Sequence, residues 1–306
     1  MQLNLTIPNN HRVTTLLQPW QDSVGGAEIG RIAALADRLG FGRLSVGEHF
    51  AVPREHVAAS GAHYMHATTA LAYLAGHTER IRLAANVSVI ALQHPIVQAK
   101  QWATLDWLGG GRADLIVGAG WMRAEFDALG VDFHTRGRRL DEYIEAMREI
   151  WSSEFTSHRG EFVEFDDIAA EPKPIGGHSV GLWFAGDVPQ TFRRVAEWGV
   201  GWSPYLTPPE RISEGIDRIK SHPEYRGQTV DVFFNLANLR LGQAHSSRAD
   251  DHDFDTWNVQ KLLDQIGWVQ SLGVTEVAPP LPKLDSLEHY VERLHWLAEE
   301  IMPRLE

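Results

Sequence analysis

The feature that most constrains this chain is an eightfold alternation between short apolar runs and longer segments with apolar residues at helical spacing. The predicted strands cover residues 2–7, 43–49, 81–89, 113–118, 181–185, 200–205, 230–239 and 275–278. The predicted helices cover residues 25–40, 67–77, 94–108, 140–151, 189–198, 209–221, 254–272 and 286–301. Such alternation is typical of an α/β chain with a parallel sheet, and eight units favour a closed (β/α)8 TIM barrel over an open doubly wound sheet.

The alternation is interrupted once, between residues 152 and 180. An aromatic-rich stretch at residues 161–165 is followed by a Pro-Lys-Pro turn at 172–174 and by Gly176-Gly177, which predicts an inserted hairpin and loop after the fourth helix. Asp285 stands three residues before Glu288, the spacing of a helix capping box. With 306 residues and 43% hydrophobic content, residues 1–306 are expected to form a single domain.

Composition excludes several classes of function. The chain has no cysteine, so disulfides, thiolate metal sites and cysteine nucleophiles are excluded, and redox chemistry requires a bound organic cofactor. A formal net charge of −12 argues against nucleic acid as a partner, because phosphate binding needs clustered Lys and Arg. Residues 1–8 lack the pattern of a signal peptide, and no apolar run reaches the roughly 20 residues of a membrane helix, so we expect a soluble, cytoplasmic protein with no membrane partner.

Barrel enzymes carry their reactive groups at the C-terminal ends of the strands, where four places in this sequence stand out. Glu48 and His49 follow the second strand as an adjacent carboxylate and imidazole, which suits proton transfer near neutral pH or, alternatively, a surface charge pair. Asn86 and Val87 lie among small residues in the third strand. There the sequence predicts either the close approach of a flat ligand to the backbone or ordinary core packing.

The third place follows the fourth strand. Gly118, Ala119 and Gly120 leave space, and the indole of Trp121 offers a stacking surface with one hydrogen-bond donor. The alternative is that Trp121 only fills the core.

The fourth place follows the fifth strand, where Gly186, Asp187 and Val188 lead into a helix. Free backbone N–H groups at such a helix start bind phosphate in many barrels. The alternative is that Asp187 only caps the helix.

A metal site is not expected. His63 and His66 have a spacing that suits metal binding, but the first strand ends at residues 7–10 without the paired histidines of a metallohydrolase barrel.

Several motifs together resemble the bacterial luciferase-like superfamily, and the resemblance covers nearly the whole chain apart from residues 242–255. The stretches that carry it are residues 36–41, 46–49, 80–83, 94–100, 103–106, 110–112, 117–121, 125–131, 136–142, 172–174, 182–186 and 199–202. They are most similar to the branch that uses the deazaflavin coenzyme F420. True luciferases and FMN-dependent monooxygenases form sister branches.

This resemblance implies a TIM barrel whose cofactor ring lies over the third and fourth strands, supported by a non-prolyl cis peptide at Asn86-Val87. It places His49 at the family's active-site histidine, Glu48 at a neighbouring acid, and residues 186–188 near the cofactor phosphate. Trp121 departs from members with a catalytic carboxylate there, which puts sugar-phosphate dehydrogenase chemistry in doubt. Asp187 also departs from the usual neutral residue.

Three functions remain open after this comparison. The first is hydride transfer between coenzyme F420 and a small organic substrate, with His49 managing the coupled proton. The second is an FMN-dependent two-component monooxygenase that uses molecular oxygen and receives reduced flavin from a separate reductase. The third is a flavin-binding protein without turnover, against which the retained Glu48-His49 pair argues. The cofactor distinguishes the first two.

Two expectations concern the surface. The resemblance implies a homodimer, and a helix with both Trp102 and Trp107 has more aromatic surface than one core face needs. Coenzyme F420 would also need a basic exit for its anionic tail. The candidate cations for that exit are Lys173, Arg193, Arg194 and Arg240.

Overall fold

Eight parallel strands close into a barrel in this computed structural model, which describes residues 1–175, 180–241, 243–246 and 257–305. In chain order the barrel strands are β1 (Gln2–Thr6), β2 (Arg43–Val46), β3 (Arg82–Val89), β4 (Ala113–Gly118), β7 (Gly181–Ala185), β8 (Gly201–Ser203), β9 (Asp231–Asn235) and β10 (Glu276–Ala278). Around the barrel they run β1-β10-β9-β8-β7-β4-β3-β2. The predicted TIM barrel is therefore confirmed.

Helices surround the barrel and return the chain to the start of each next strand. They are α1 (Gly26–Leu39), α3 (Ala67–Ala75), α4 (Pro95–Leu108), α6 (Arg136–Ser152), α7 (Pro189–Trp198), α8 (Ile212–Lys220), α9 (Val259–Ser271) and α10 (Leu287–Trp296). Two short helices, α2 (Arg54–Ser60) and α5 (Arg123–Ala128), lie in the loops after β2 and β4. They escaped prediction because two turns or fewer are too short to show helical periodicity. None of the described helices has the length and apolar character to cross a membrane.

The predicted insertion after the fourth barrel helix is an antiparallel hairpin of β5 (Thr156–Arg159) and β6 (Glu164–Ile168). Its core-facing side packs on α6, whose buried face carries Leu140, Tyr143, Ile144, Met147, Ile150 and Trp151. That face has the spacing that predicted the helix. Gly176 and Gly177 lie outside the described residues.

A charged layer fills the interior of the barrel beneath the C-terminal ends of the strands. Arg43 Nε donates to Asp114 Oδ2 at 3.0 Å, and Arg43 also pairs with Glu276, which accepts from Asn4 Nδ2 at 2.6 Å. The Arg43 guanidinium lies 4.3 Å from the ring centre of Trp183. Burial raises the pKa of Glu276, while Arg43 opposes that rise. This layer closes the interior, so a ligand site must lie above it.

Several predicted boundaries differ from the structure. β2 ends at Val46, because Gly47, Glu48 and His49 leave the sheet for loop contacts. β9 ends at Asn235, whose side chain accepts from the N–H of Ala237 at 3.0 Å and starts a 3₁₀ turn.

Two predictions about the last helices, α9 and α10, also differ from the structure. The capping box of Asp285 and Glu288 is wrong, because Ser286 caps α10 by accepting from the N–H of His289 at 3.3 Å. The predicted helix over 254–272 begins at Val259 after the cap Asn258, and its residues before 257 lie outside the described ones.

Candidate active site

A buried histidine–carboxylate pair lies above the ends of β2 and β4. His49 Nδ1 is 2.8 Å from Glu125 Oε2, and the Glu125 side chain is 2% exposed. The backbone N–H groups of Phe50 and Ala51 donate to Glu125 Oε1 at 2.6 and 3.3 Å. An ionised carboxylate can only accept, so this network assigns the imidazole hydrogen to Nδ1 and leaves Nε2 as an acceptor.

Glu48 points away from its neighbour His49. Its carboxylate accepts from the N–H of Ala67 at 2.8 Å and from Ser88 Oγ at 3.2 Å. Burial raises the pKa of Glu48, and the Ala67 N–H and the His66 imidazole oppose the rise. Glu48 and His49 are adjacent in the sequence but have different partners: Glu48 joins β2 to the start of α3 and to β3, while Glu125 is the partner of His49.

Aromatic rings surround the His49 imidazole. The ring centres of Tyr64, Trp121 and His245 lie 4.8, 6.0 and 6.1 Å from it. Trp121 in turn has edge contacts with His245 at 5.5 Å and His56 at 5.2 Å. Trp121 and His49, which the sequence predicted separately, are thus brought into one cluster.

Burial shifts the pKa values of two histidines and a tyrosine near this cluster toward their neutral forms. Burial lowers the pKa of His11 and of His245 to about 4, so both imidazoles are neutral near pH 7. Burial raises the pKa of Tyr205 to about 12, and its hydroxyl is buried with no hydrogen-bond partner in the described structure. Among the described residues, no group of three or more His, Asp or Glu side chains is arranged to hold a metal ion.

β3 has an irregularity next to this cluster. The peptide between Asn86 and Val87 is cis, and the register between β3 and β4 shifts between Asn86 and Ser88. Gly118 faces this bulge, since a Cβ on it would lie 3.1 Å from Val87 Cγ2. The cis peptide is thus found at the bond for which the resemblance predicted it.

The loop after β4 is also shaped by glycine. Gly120 has a φ of 79°, and a Cβ there would lie 2.7 Å from the ring of Phe126. Ala119 is half-buried beside it. Residues 118–120 therefore leave a low surface between the β3 bulge and Trp121.

A glycine turn at Gly186 precedes α7. Gly186 has a φ of 116°, and the N-cap of α7 is Val188, which is exposed. The Asp187 carboxylate accepts from the N–H of Leu206 at 2.9 Å and from Thr207 Oγ1. Asp187 is therefore not the helix cap: its charge is turned toward the loop after β8, away from the first turn of α7.

The three candidates for the basic exit whose side chains are described, Lys173, Arg193 and Arg194, each have partners within the protein. Lys173 Nζ donates to Ile150 O and Ser153 O at 2.7 Å each, at the C-terminus of α6 and the opposite end of the barrel. Arg193 and Arg194 both pair with Asp141, at 2.8 and 2.6 Å. The side chain of Arg240 lies outside the described residues.

Two other cations, Arg136 and Arg139, lie at the start of α6, at the C-terminal face of the barrel. Arg136 Nε donates to Gly120 O at 3.2 Å, and Arg139 Nε donates to Thr135 Oγ1 at 2.9 Å. Within the described residues their hydrogen bonds go to neutral oxygens, so their charges remain available to an anion. Sequence reasoning missed them because only the fold distinguishes the two ends of the barrel.

A cavity of about 310 Å³ opens over the ends of β1, β9 and β10. His11 lines it, and the His11 ring centre lies 5.9 Å from that of Tyr64, which contacts His49. His11 therefore links the cavity to the aromatic cluster, and both lie at the C-terminal face of the barrel, where barrel enzymes carry their chemistry.

Comparison with known sequences gives a consistent family. A family model described as luciferase-like monooxygenase matches residues 1–253. An uncharacterized protein of Mycobacterium tuberculosis is 32% identical over 86% of this chain and 90% of its own length. The FMNH(2)-dependent dimethylsulfone monooxygenase of Pseudomonas fluorescens is 32% identical over 67% of this chain and 55% of its own length.

Two solved structures share the fold over nearly their whole length at low sequence identity. Monooxygenase RslO1 from Streptomyces bottropensis has a TM-score of 0.79 at 20% identity, with 99% of both chains covered. The coenzyme F420 dependent tetrahydromethanopterin reductase from Methanopyrus kandleri has a TM-score of 0.74 at 16% identity, with 100% of this chain and 99% of that chain covered. At these identities the likeness shows the fold alone.

Proposed function

This chain belongs to the luciferase-like monooxygenase family, and from that membership we propose that it transfers a hydride between coenzyme F420 and a small organic substrate. The observation that carries the proposal is the buried His49–Glu125 pair, which lies above the ends of β2 and β4 at the C-terminal face of the barrel. Hydride transfer to or from a carbonyl or alcohol carbon requires a matching proton transfer. A histidine held in one tautomer supplies that proton transfer near neutral pH.

The residues above β3 and β4 fit a flat tricyclic ring. Val87 is the extra residue of the bulge, and the missing Cβ of Gly118 gives it room. Trp121 borders the same surface with its indole. When bound, a flavin or deazaflavin ring accepts or donates the hydride, and the protein supplies position and proton.

The start of α7 fits the cofactor phosphate. The first turn of a helix presents unpaired N–H groups, and Gly186 lets the backbone turn sharply into it. A carboxylate beside a phosphate would be unfavourable, but Asp187 is held by Leu206 and Thr207 instead. Asp187 therefore does not argue against a phosphate at this position.

His49 has the role of the proton-transferring group in this proposal. Glu125 accepts from Nδ1, so Nε2 is free to take a proton from a substrate hydroxyl, or to return one to a carbonyl oxygen during the reverse reaction. The carboxylate stabilises the imidazolium that forms when Nε2 is protonated. Glu48 has a positioning role, since it holds Ser88 beside the bulge.

A second candidate function is an FMN-dependent monooxygenase that receives reduced flavin from a separate reductase. The dimethylsulfone monooxygenase relative, at 32% identity, favours it. The same bulge and helix start would accept FMN. A binding protein without turnover is disfavoured, because a buried His–Glu hydrogen bond that leaves Nε2 free has no evident use in simple retention of a ligand.

The deciding experiment is isothermal titration of the full chain with coenzyme F420 and, separately, with oxidised FMN. We expect micromolar or tighter binding of coenzyme F420 and weaker binding of FMN. Tighter FMN binding would favour the monooxygenase, and binding of neither would reject both. As a control, Gly118→Val should weaken either ligand, because its side chain would displace Val87.

A further inference from the structure

Two asparagines in the loop after β1 leave buried oxygens without partners. Asn9 and Asn10 both line the cavity, and they are 9% and 1% exposed. Their Oδ1 atoms are buried and have no hydrogen-bond partner in the described structure. Buried polar atoms are nearly always paired, so these two oxygens indicate a ligand.

The orientation of both amides is fixed by acceptors on the other side. Asn9 Nδ2 donates to Val24 O at 2.8 Å, and Asn10 Nδ2 donates to Ser45 O at 3.4 Å. A flipped amide would place its oxygen against a carbonyl oxygen, which is repulsive. The free atom of each side chain is therefore an acceptor, and both need a donor.

A third unpaired oxygen belongs to Asn4, which also lines the cavity, at its lower end. Asn4 Oδ1 lies 2.8 Å from the position of a Cβ on Gly42, which precedes β2 at the lower end of the barrel. It therefore does not contribute to recognition in the upper part of the cavity.

The charge of the lining defines the ligand further. Among the described residues that line the cavity, Lys283 alone carries a full charge near pH 7, and it is exposed at the rim. His11 is neutral there. A buried cation would find no carboxylate, and a buried anion would meet two carbonyl dipoles of the wrong sign. A neutral molecule that donates hydrogen bonds matches both conditions.

We propose that this cavity is the substrate subsite and binds a small, neutral amide- or urea-type molecule, with one N–H donated to Asn9 Oδ1 and another to Asn10 Oδ1. The inference rests on the proposed function, because it places the reacting carbon of that molecule beside His49. The hydrogen-bond requirement itself is the same for either cofactor. The N–H groups of such a ligand only donate, so they can pair with the two asparagine oxygens.

The test uses two neutral probes with the full chain. Uracil offers two ring N–H donors, and dimethyl sulfone is a compact molecule with none. Binding is measured by calorimetry, with and without the cofactor that binds. We expect uracil to bind and dimethyl sulfone to bind at least tenfold more weakly. Absence of uracil binding, or equal binding of the two probes, would overturn the proposal.

Variants then test the two oxygens separately. Asn10→Leu removes the acceptor at similar size. Asn9→Gly removes the other while keeping a backbone that tolerates the φ of 54° at this position. Each should weaken uracil about tenfold, the effect of one lost hydrogen bond to a buried group. Thr14→Val, an exposed change in the same loop, is the matched control, and circular dichroism verifies folding.

The outcomes separate this proposal from the proposed function. Weaker uracil binding in both asparagine variants, with unchanged cofactor affinity, supports the subsite. Unchanged uracil binding in the variants would overturn it. A loss of cofactor affinity without a loss of uracil affinity would also overturn it, and would mean that the two oxygens accept from N–H groups of the cofactor. If neither cofactor binds but uracil binding depends on Asn9 and Asn10, the proposed function fails and the neutral, donor-binding cavity stands.

Discussion

His49 and Glu125 lie 2.8 Å apart at the top of the barrel although 76 residues separate them in the chain. The pair depends on α5, the short helix that carries Glu125 back over the end of β2. Two backbone N–H groups next to His49 bind the same carboxylate. The loop after β2 and the loop after β4 are thereby joined through one side chain.

The first prediction concerns this pair. Glu125→Gln should lower turnover about tenfold to a hundredfold. The amide oxygen would accept from the N–H groups of Phe50 and Ala51, so the amide NH2 would face His49 Nδ1 and could neither accept its hydrogen nor stabilise the imidazolium. His49→Ala should lower turnover by about 10² or more. The double variant should be no slower than His49→Ala alone, since the two residues act as one unit.

Steady-state and single-turnover rates, with cofactor affinity in parallel, check this prediction. Glu79→Gln, an exposed change, is the control. Fully additive losses in the double variant would contradict a shared role. An unaltered rate in His49→Ala would reject proton transfer by this residue.

The second prediction concerns acid stability. Burial lowers the folded-state pKa of His11 and His245 from 6.5 to about 4. Between these values the unfolded chain binds more protons than the folded one, so stability is full above about pH 6.5 and falls as the pH drops toward 4. Each group contributes on the order of 1–3 kcal/mol to this loss.

Denaturant unfolding from pH 4 to 7 measures the effect. His11→Gln should give a shallower dependence of the free energy of unfolding on pH, because it removes one titrating group. An equally steep dependence in this variant would show that His11 is not held neutral by the fold.

The third prediction concerns Glu48. Glu48→Ala should reduce the free energy of unfolding by about 1–3 kcal/mol, because it leaves the buried N–H of Ala67 without a partner. It should also weaken cofactor binding, because Ser88 at the bulge loses its acceptor. Glu48→Gln keeps an acceptor and should be milder. Thermal unfolding and cofactor titration check this positioning role, which predicts losses of stability and of cofactor affinity. If Glu48 acted only in catalysis, turnover alone would fall.

Some of these features could be predicted from the sequence and others could not. Apolar periodicity located the eight strand–helix units because burial imposes it directly. Glu48 and His49 were found at the end of a strand, but their neighbouring positions suggested a pair. Successive side chains leave an extended segment in opposite directions, so they bind different partners. Glu125, Asn9 and Asn10 depend on contacts between loops distant in the chain, which no local pattern encodes.

The fourth prediction concerns the oligomer. Trp102 is 1% exposed and belongs to the core, whereas Trp107 on the same helix is 59% exposed beside exposed Leu108. The proposed homodimer would bury this end of α4. Trp107→Lys should then shift the chain from dimer to monomer in light scattering at micromolar concentration, while Trp102 is too buried to serve as a surface probe. A monomeric wild-type chain would reject the dimer.

The last prediction concerns the choice of cofactor and the cations at the start of α6. Coenzyme F420 continues past its phosphate into an anionic tail, whereas FMN ends there. On a chain of net charge −12, attraction for that tail must be local. Arg136 donates to the neutral carbonyl oxygens of Gly120 and Phe133, so its charge is available. Arg193 is already paired with Asp141 and Glu197.

Arg136→Gln should therefore weaken coenzyme F420 several-fold and flatten the dependence of its affinity on salt, with a smaller effect on FMN. Arg136→Lys, which keeps the charge, should retain the salt dependence if the role is electrostatic. Arg193→Gln is the matched control and should change neither ligand. Calorimetric titrations at two salt concentrations measure all three variants. Equal losses for coenzyme F420 and FMN in Arg136→Gln would show that Arg136 supports the loop at Gly120 and does not bind the tail.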